Sequence, residues 1–192
     1  MNNAYTVVNL KQGTTEWLEW RNNGIGASDA PAIMDENPWK SSTQLFSEKL
    51  GTAKSFGANA AMARGTALEA EARKRYEAIC NVRVDPACLQ SNKHKWQRAS
   101  VDGLGANGTV VVEIKCGESV HKKTASSGQV PSYYIGQLQH ILAVTDLPHI
   151  DFFCWLPNLR EIHLRIKRDD RYIARLVVAE QAFWQKLIKH KR

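Results

Sequence analysis

The sequence contains few of the features that mark a secreted or membrane protein. Its 192 residues include only four cysteines, and these form neither a C-x-x-C pair nor the spacing of a zinc site. No apolar run is long enough to cross a membrane, and the first residues, MNNAYTVVNLKQG, lack the basic and apolar regions of a signal peptide. We therefore expect reduced, half-buried cysteines in a cytoplasmic protein without a membrane anchor.

Acidic residues are the minority among the charged side chains. There are 19 Asp and Glu residues against 26 Lys and Arg residues, which gives a net charge of +7. A positive excess suits a partner made of phosphates, although solubility alone would also explain it. With 43% hydrophobic residues, the chain is long enough to bury one core, and we expect a single domain over residues 1–192.

The order of the predicted elements indicates the fold class. Apolar periodicity and capping residues predict short helices near the N-terminus and a long helix that ends near Cys80, followed by strand candidates. The stretch GESVHKKTASSGQVP is expected to be a polar loop before another helix, a hairpin that turns at Pro157-Asn158, and a last helix. The predicted helices include 42–50 and 169–190, and the predicted strands are 87–90, 99–101 and 108–116. This order predicts an α/β (α+β) fold with a central mixed sheet covered by helices on both faces.

The stretch ASVDGLGANGTVVVEIKCG places a carboxylate and an ammonium group together on an apolar strand. Because strand side chains alternate, Glu113 and Lys115 share one face with Val111. A solvent-exposed face of an antiparallel strand would explain this pair. With Asp102, however, the pattern is D-x(10)-E-x-K, in which two carboxylates on neighbouring strands can bind one Mg²⁺ and the lysine can stabilise developing negative charge. Hydrolysis of a phosphodiester requires these groups.

Two further residues could complete such a site. Glu69 lies just off the apolar stripe of the long helix and could present a third carboxylate, or it could pair on the helix surface with Arg73 at i+4. Gln137, in YYIGQLQH, could bind the attacking water or Lys115, or it could be a buried amide with its hydrogen bonds satisfied. The residues alone leave these alternatives open.

Together these motifs resemble the phage lambda-type exonuclease family, the alkaline exonucleases of viral recombination systems within the PD-(D/E)xK nuclease superfamily. The resemblance extends from about Trp17 to the last helix, and it depends on the order and spacing of five stretches: WRNNGIGASDAPAI, RGTALEAEA, SVDGL, VEIKC and YYIGQLQH. It implies a restriction-endonuclease-like core around the central sheet.

The resemblance also implies roles for individual residues. Two divalent ions, Mg²⁺ with Mn²⁺ as a substitute, would be held by carboxylates, and a lysine and a glutamine would support the attacking water. The implied metal ligands are Glu69, Asp102, Glu113 and Ile114, and the implied catalytic residues are Glu69, Asp102, Glu113, Lys115 and Gln137.

The match departs from the family at two points. The family can carry another acidic residue about ten positions before the aspartate of the D-G-L turn, where this chain has Asn92 and Lys93. The fourth acidic group therefore has no candidate. Superfamily members with iron–sulfur clusters carry a C-x-x-C group near the C-terminus, and its absence here implies no cluster.

A second set of residues is expected to hold the DNA end. Arg21, Gly26 and Ser28 precede a predicted helix, whose free N–H groups would attract a phosphate, although an exposed arginine and an ordinary capping serine would look the same. The resemblance implies that Arg21, Ser28 and Ser100 bind the terminal 5′-phosphate. It also implies that Met62 wedges the duplex open, although a methionine there could equally belong to the core. Basic residues that could line a duplex channel, or form a charged solvent face, are Lys122, Lys123, Arg160 and Arg165.

The implied activity is a Mg²⁺-dependent 5′-to-3′ exonuclease that acts on double-stranded DNA ends. It would release 5′-mononucleotides and leave 3′ single-stranded tails for single-strand-annealing recombination. The resemblance further implies a ring-shaped homotrimer, a single-strand annealing protein as partner, and a phage or prophage protein in the bacterial cytoplasm. The alternatives are a restriction-like endonuclease and a non-catalytic DNA-binding recombination accessory protein.

Overall fold

The computed structural model describes residues 4–53 and 60–191, and its elements follow the predicted order. The strands are β1 (Tyr5–Val8), β2 (Ile25–Gly26), β3 (Val84–Ser91), β4 (Gln97–Gly105), β5 (Val111–Lys115), β6 (His149–Cys154) and β7 (Ile162–Lys167). The helices are α1 (Thr15–Asn22), α2 (Ala30–Ile33), α3 (Ser42–Lys49), α4 (Ala60–Cys80), α5 (Glu118–Ser127), α6 (Ile135–Thr145) and α7 (Asp170–His190), with 3₁₀ turns at Ala27–Asp29 and Ser132–Tyr134.

Within the described ranges, the seven strands form one mixed sheet. Its order is β1-β3-β4-β5-β6-β7, and β2 pairs with β4 beside this path. The pairs β2–β4 and β5–β6 are parallel and the other pairs are antiparallel. The connection from β5 to β6 carries α5 and α6, because parallel neighbours need a crossover.

Helices cover both faces of the sheet, as neighbouring residues of β5 demonstrate. Val111 is buried in a cluster with Leu138 of α6, whereas Val112 is buried in a second cluster with Ala72 and Tyr76 of α4. Because strand side chains alternate, these two clusters lie on opposite faces. The predicted fold class, a central mixed sheet flanked by helices on both faces, is confirmed.

Strand β4 contains a bulge at its centre. The register pairs Asp85 with Leu104 and Ala87 with Val101, so β4 has one residue more than β3 between these pairs. An extra residue bends a strand and redirects its side chains, and bulges are frequent beside active sites. The bulge includes Asp102, so it sets the direction of this carboxylate.

Apolar periodicity predicts that Leu18 on α1 and Ile79 on α4 face inward, and both predictions are wrong. Leu18 on α1 is exposed, because Trp17 and Trp20, three residues apart on one side of the helix, are the residues that turn towards the sheet. Ile79 on α4 is also exposed, because Cys80 lies one turn beyond the buried Tyr76 and packs on the second cluster instead.

The predicted loop between β5 and α6 was also wrong, since most of it is α5. Val120 and Thr124 lie one turn apart on this helix and are both buried, and the Thr124 hydroxyl donates to the Val120 carbonyl at 2.8 Å. Gly128 ends the helix with φ +66°. The short apolar stripe is hidden in a polar composition, which is why the sequence suggested a loop.

The predicted hairpin is confirmed, whereas most of the cysteines are more buried than expected. The strands β6 and β7 form the expected hairpin, and Asn158 in its turn has φ +64°. All four cysteines are free, and three of them are fully buried. Among the described residues, no helix combines the length and the apolar composition that crossing a membrane requires.

A buried carboxylate on β6 organises the outer end of the sheet. Asp151 accepts hydrogen bonds from the Tyr76 hydroxyl at 2.7 Å and from Arg165 Nε at 2.8 Å, and His163 Nε2 lies 3.2 Å away. Burial alone would raise the pKa of Asp151, but these donors hold it below its usual value. The register pairs Asp151 with Val112, so it lies on the face covered by α4.

Candidate active site

Glu113 and Lys115 project from β5 towards the start of α6. Glu113 is only 3% exposed. Its Oε1 accepts from Lys115 Nζ and from Gln137 Nε2, both at 2.6 Å. The solvent-exposed-face interpretation is therefore wrong, since this acid is buried. The structure brings together the three residues of the predicted E-x-K and glutamine set.

Asp102 projects from the bulge of β4 towards Glu113 and Lys115. Its Oδ2 accepts from the backbone N–H of Ile114 at 2.7 Å, between Glu113 and Lys115. Burial raises the pKa of Asp102 well above its usual range, and the nearby charges of Glu113 and Glu69 raise it further. Burial alone would lower the pKa of Lys115, but Glu113 and Asp102 outweigh that effect and hold it above its usual value.

Glu69 joins the cluster from α4 through an arginine. Arg73 Nη2 donates to Glu69 Oε1 at 2.7 Å, so the predicted helix-surface pair exists. The same guanidinium donates from Nε to the Asp102 carbonyl at 2.6 Å and thereby joins the helix to the bulged strand. Burial raises the pKa of Glu69, and the Glu113 charge contributes in the same direction. The sequence analysis did not identify this second contact of Arg73, which depends on the folded position of β4.

The donor set can be tested for its fit to a divalent cation. Among the described residues, no three His, Cys, Asp or Glu side chains are arranged to hold a metal ion. Lys115, Arg73 and the Ile114 N–H instead donate to Glu113, Glu69 and Asp102. Glu113 Oε2, however, is buried and has no hydrogen-bond partner within residues 4–53 and 60–191. A buried carboxylate oxygen without a donor is costly unless a cation compensates it. The oxygens of these acids are also the ligands that Mg²⁺ prefers, so the residues fit such an ion.

The three residues predicted to hold a terminal phosphate form one connected group. Arg21 donates to the Ser28 hydroxyl and lies over the Trp17 ring, 5.2 Å from its centroid. Trp17 Nε1 in turn donates to the Ser100 hydroxyl at 2.8 Å. Apolar periodicity predicts Trp17 only as an inward-facing residue of α1. Its spacing of four from Arg21 on a helix is the signal that could have revealed the contact between them.

A buried ion pair lies behind this group. Asp29 Oδ2 accepts from the Gly26 N–H at 2.9 Å and from Lys49 Nζ at 2.8 Å. Burial alone would raise the pKa of Asp29, but the charges of Lys49 and Arg21 hold it below its usual value. Asp29 thus fixes the 3₁₀ turn that carries Ser28. The sequence predicts Ser28 or Asp29 as the N-cap of the helix that begins near Pro31; Asp29 holds that position, but its side chain does not cap α2.

The remaining predicted residues stand apart from these groups. The side chain of Met62 lies outside the described residues, so the wedge stays a prediction. Lys122 and Lys123 are exposed on α5, and Arg160 is exposed in the β6–β7 turn. Arg165 is paired with Asp151 on the sheet face opposite Glu113.

Comparisons with solved structures support the fold. An alkaline exonuclease (LHK-Exo) from Laribacter hongkongensis has a similar crystal structure, with a TM-score of 0.81 and 29% identity over 93% of this chain and 94% of that one. A phage-related exonuclease from Haemophilus somnus matches with a TM-score of 0.64 over 88% of this chain and 96% of that one, and its 14% identity supports the fold alone.

Sequence relatives are longer than this chain. The YqaJ protein of Bacillus subtilis is 29% identical over 92% of this chain and 57% of its own length. The R354 protein of Acanthamoeba polyphaga mimivirus is 28% identical over 74% of this chain and 29% of its own length. The chain therefore spans about half or less of the length of these relatives. The family model of the YqaJ-like viral recombinase domain matches residues 16–148, which confirms the resemblance to viral recombination exonucleases. The chain belongs to the YqaJ-like viral recombinase family.

Proposed function

We propose that this chain is a divalent-metal-dependent deoxyribonuclease that degrades double-stranded DNA from its 5′ ends. The observation that carries the proposal is the buried Glu113 carboxylate, whose Oε2 has no donor among the described residues, although Lys115 and Gln137 hold its Oε1. Asp102 and Glu69, with raised pKa values, add two acids that a cation would neutralise. The similarity to an alkaline exonuclease supports the same activity.

In this proposal the acids and the lysine have distinct roles. Glu69, Asp102, Glu113 and the backbone of Ile114 are the groups that would hold Mg²⁺ or Mn²⁺. A divalent cation bound there supplies an activated water and neutralises charge on the phosphate. Lys115, whose raised pKa keeps it protonated, stabilises negative charge that develops at phosphorus. Gln137 orients the water by hydrogen bonding, from the position where it now contacts Glu113.

The proposed direction of cleavage depends on the group formed by Arg21, Ser28 and Ser100. Its guanidinium and hydroxyls offer donors to a terminal 5′-phosphate, and Ser100 lies two residues before Asp102 on β4. A phosphate bound there would hold the next phosphodiester near the acids. Each cut would then create a new 5′-phosphate that can bind again, which favours stepwise removal of mononucleotides from one end.

The wider biological role is also part of the proposal. A single nuclease domain over residues 1–192, a homotrimer, a single-strand annealing partner and a place in the bacterial cytoplasm are consistent with the viral recombinase family. The relatives extend beyond this chain, so their additional length could carry further functions.

End-labelled DNA tests the proposal. Linear duplex with a 5′-phosphate or a 5′-hydroxyl, and closed circular duplex, are incubated with Mg²⁺, with Mn²⁺ or with chelator. We expect metal-dependent loss of the 5′ label as mononucleotide, faster for the 5′-phosphate end, and no cutting of circles. Arg21→Ala should reduce the end preference by roughly 10- to 100-fold, because a charge-assisted contact contributes about 1.5–3 kcal/mol.

An exposed arginine on α7 provides the matched control. Arg171→Ala removes the same charge without touching the phosphate group, so its end preference should equal that of the wild type. Equal rates on both ends, or a preference that Arg21→Ala preserves, would contradict the phosphate group. Cutting of circles would favour the endonuclease alternative, and no metal-dependent cutting would refute the nuclease.

A further inference from the structure

A series of aromatic rings leads from Lys115 to the protein surface. Lys115 Nζ lies 4.8 Å from the centroid of the Tyr134 ring. Tyr134 contacts Tyr133 with ring centroids 4.7 Å apart, and Tyr133 contacts Trp39 at the same centroid distance. The rings therefore form a continuous path from the candidate active site to Trp39, which is 64% exposed. We call Trp39, Tyr133 and Tyr134 the aromatic path.

Positive charge lies beside the two tyrosines of the aromatic path. Lys123 Nζ lies 5.0 Å from the Tyr133 centroid, as Lys115 does for Tyr134. Lys122 adds a neighbouring exposed ammonium group on α5. An exposed tryptophan that adjoins two half-buried tyrosines with lysines beside them, in a protein of net charge +7, matches a ligand that combines negative charge with flat apolar rings.

The loop that carries Trp39 is held in place by specific contacts. Asn37 Oδ1 accepts from the backbone N–H groups of Trp39 at 2.8 Å and Lys40 at 3.0 Å. The backbone N–H groups of Glu36 and Asn37 donate to the Pro31 carbonyl at 2.8 and 3.1 Å. These bonds fix the exposed Trp39 in the loop, in edge contact with Tyr133 at 75°.

We infer that the aromatic path binds unpaired bases of single-stranded DNA next to the cleavage site. Aromatic rings beside a cationic surface are the usual platform for bases, because each base has a face that can stack. Bases inside a duplex already stack on one another, so rings of this kind contact them only where the strands have separated. The choice of DNA as ligand rests on the proposed function, whereas the binding itself is tested without cleavage.

Base-dependent binding is the measurement that tests this inference. A labelled oligothymidylate and an abasic oligonucleotide of equal length carry the same phosphates, and only the first offers bases. Their dissociation constants are measured by fluorescence anisotropy with chelator present, so that no DNA is cut. We expect the wild type to bind the oligothymidylate more tightly, and Trp39→Ala to weaken that binding by about 5- to 150-fold with little effect on the abasic strand. Trp39→Phe, which keeps an aromatic ring, should retain most of the preference.

Two controls separate stacking from general effects. Val178→Ala changes an equally exposed apolar residue on α7 and should leave both dissociation constants unchanged. Lys123→Ala should weaken binding of the oligothymidylate more than Lys122→Ala does, because Lys123 lies against Tyr133. Circular dichroism of each variant checks the fold.

The outcomes distinguish this inference from the proposed function. Three results would overturn the aromatic path as a base-binding surface. The wild type could bind both oligonucleotides with equal affinity, Trp39→Ala could lose the same affinity for both, or Trp39→Ala could leave both affinities unchanged. If the wild type still degrades linear duplex in Mg²⁺, only this inference fails. Base-dependent binding without any metal-dependent cleavage refutes the proposed nuclease and leaves the surface as a single-strand binding site.

Discussion

Asp102 and Asp151 belong to the same sheet, yet their surroundings move their pKa values in opposite directions. Asp151 receives donors from Tyr76 and Arg165, and these hold its pKa low. Asp102 has its Ile114 N–H contact, but Glu113 and Glu69 stand near it and its pKa is raised. Asp151 lies on the α4 face with Val112, while Glu113 projects from the other face of β5.

The difference is the one expected between a structural cluster and the catalytic site of the proposed function. The Asp151 cluster supplies as many donors as its carboxylate needs, so it contributes to stability. The Asp102 cluster brings three acids together and leaves Glu113 Oε2 without a partner among the described residues, so a cation bound as the proposed function requires would stabilise it. Shifts that separate the pKa values of similar groups often mark the groups that perform chemistry.

The sharpest test of this comparison is Asp102→Asn. We expect cleavage of linear duplex to fall to the background of the assay, because one of the acids that hold the cation is lost. We also expect the free energy of unfolding at neutral pH to stay the same or to increase, since one like charge leaves the cluster. Urea denaturation and initial cleavage rates measure the two effects. A variant that cleaves like the wild type would contradict the site.

Lys115→Ala should have the next largest effect. Loss of one contact that stabilises transition-state charge lowers the rate by roughly 10²-fold, or on the order of 3 kcal/mol. Divalent-metal binding, measured by calorimetry, should persist because the acids remain. Arg165→Ala is the matched control, since it removes the cation beside Asp151 and should leave the rate unchanged. Equal cleavage rates for Lys115→Ala and the wild type would show that Lys115 has no role in the reaction.

Asp151→Ala should have the opposite effects to Asp102→Asn, with lower stability and an almost unchanged cleavage rate. It leaves the hydroxyl of the buried Tyr76 without its acceptor, so the free energy of unfolding should fall by about 2 kcal/mol. The cleavage rate at a temperature well below the unfolding transition should stay close to that of the wild type. Thermal unfolding and the DNA assay together measure this. A stable but inactive Asp151→Ala protein would show that Asp151 also serves the site.

The smallest expected effect is in the pH dependence of stability. Asp151 has a lowered folded-state pKa, so its stabilisation is complete above the unfolded value of about 3.9 and is lost as the pH falls through the folded value. Asp102 has a raised folded-state pKa, so its charge destabilises the fold as the pH rises from about 3.9 through that value. Relative to wild type, Asp102→Asn should therefore gain stability from acid to neutral pH, as urea unfolding at several pH values can measure. A constant difference would contradict the raised pKa.

Most of the fold and the residues of the candidate site could be predicted from the sequence. The contacts that join these residues across the fold could not. The apolar periodicity of the sequence was sufficient to predict α4, α6 and the β6–β7 hairpin, because their apolar residues repeat at clear intervals. It failed for α5, where Val120 is the one apolar residue among the three that are buried, with His121 and Thr124. The motif residues Glu113, Lys115 and Gln137 were found together, as predicted.

The contacts that were missed join elements that are distant in sequence. Arg73 of α4 donates to the Asp102 carbonyl on β4, and Trp17 of α1 donates to the Ser100 hydroxyl on the same strand. Each contact needs a strand and a helix in their folded positions, which no local pattern specifies. The bulge of β4 was missed for the same reason, because it exists only relative to the register of β3.

The extra residue of β4 also makes the activity sensitive to chain length. Because side chains alternate along a strand, a shift of one residue exchanges its two faces. Deletion of one residue between Val101 and Leu104 would restore a regular ladder with β3 and leave the rest of the sheet in register. Such a protein would keep every other acid and the same architecture, but would lose the approach of Asp102 to Glu113. In an alignment of related sequences, a one-residue gap between Val101 and Leu104 would separate proteins that retain this site from proteins that have lost it.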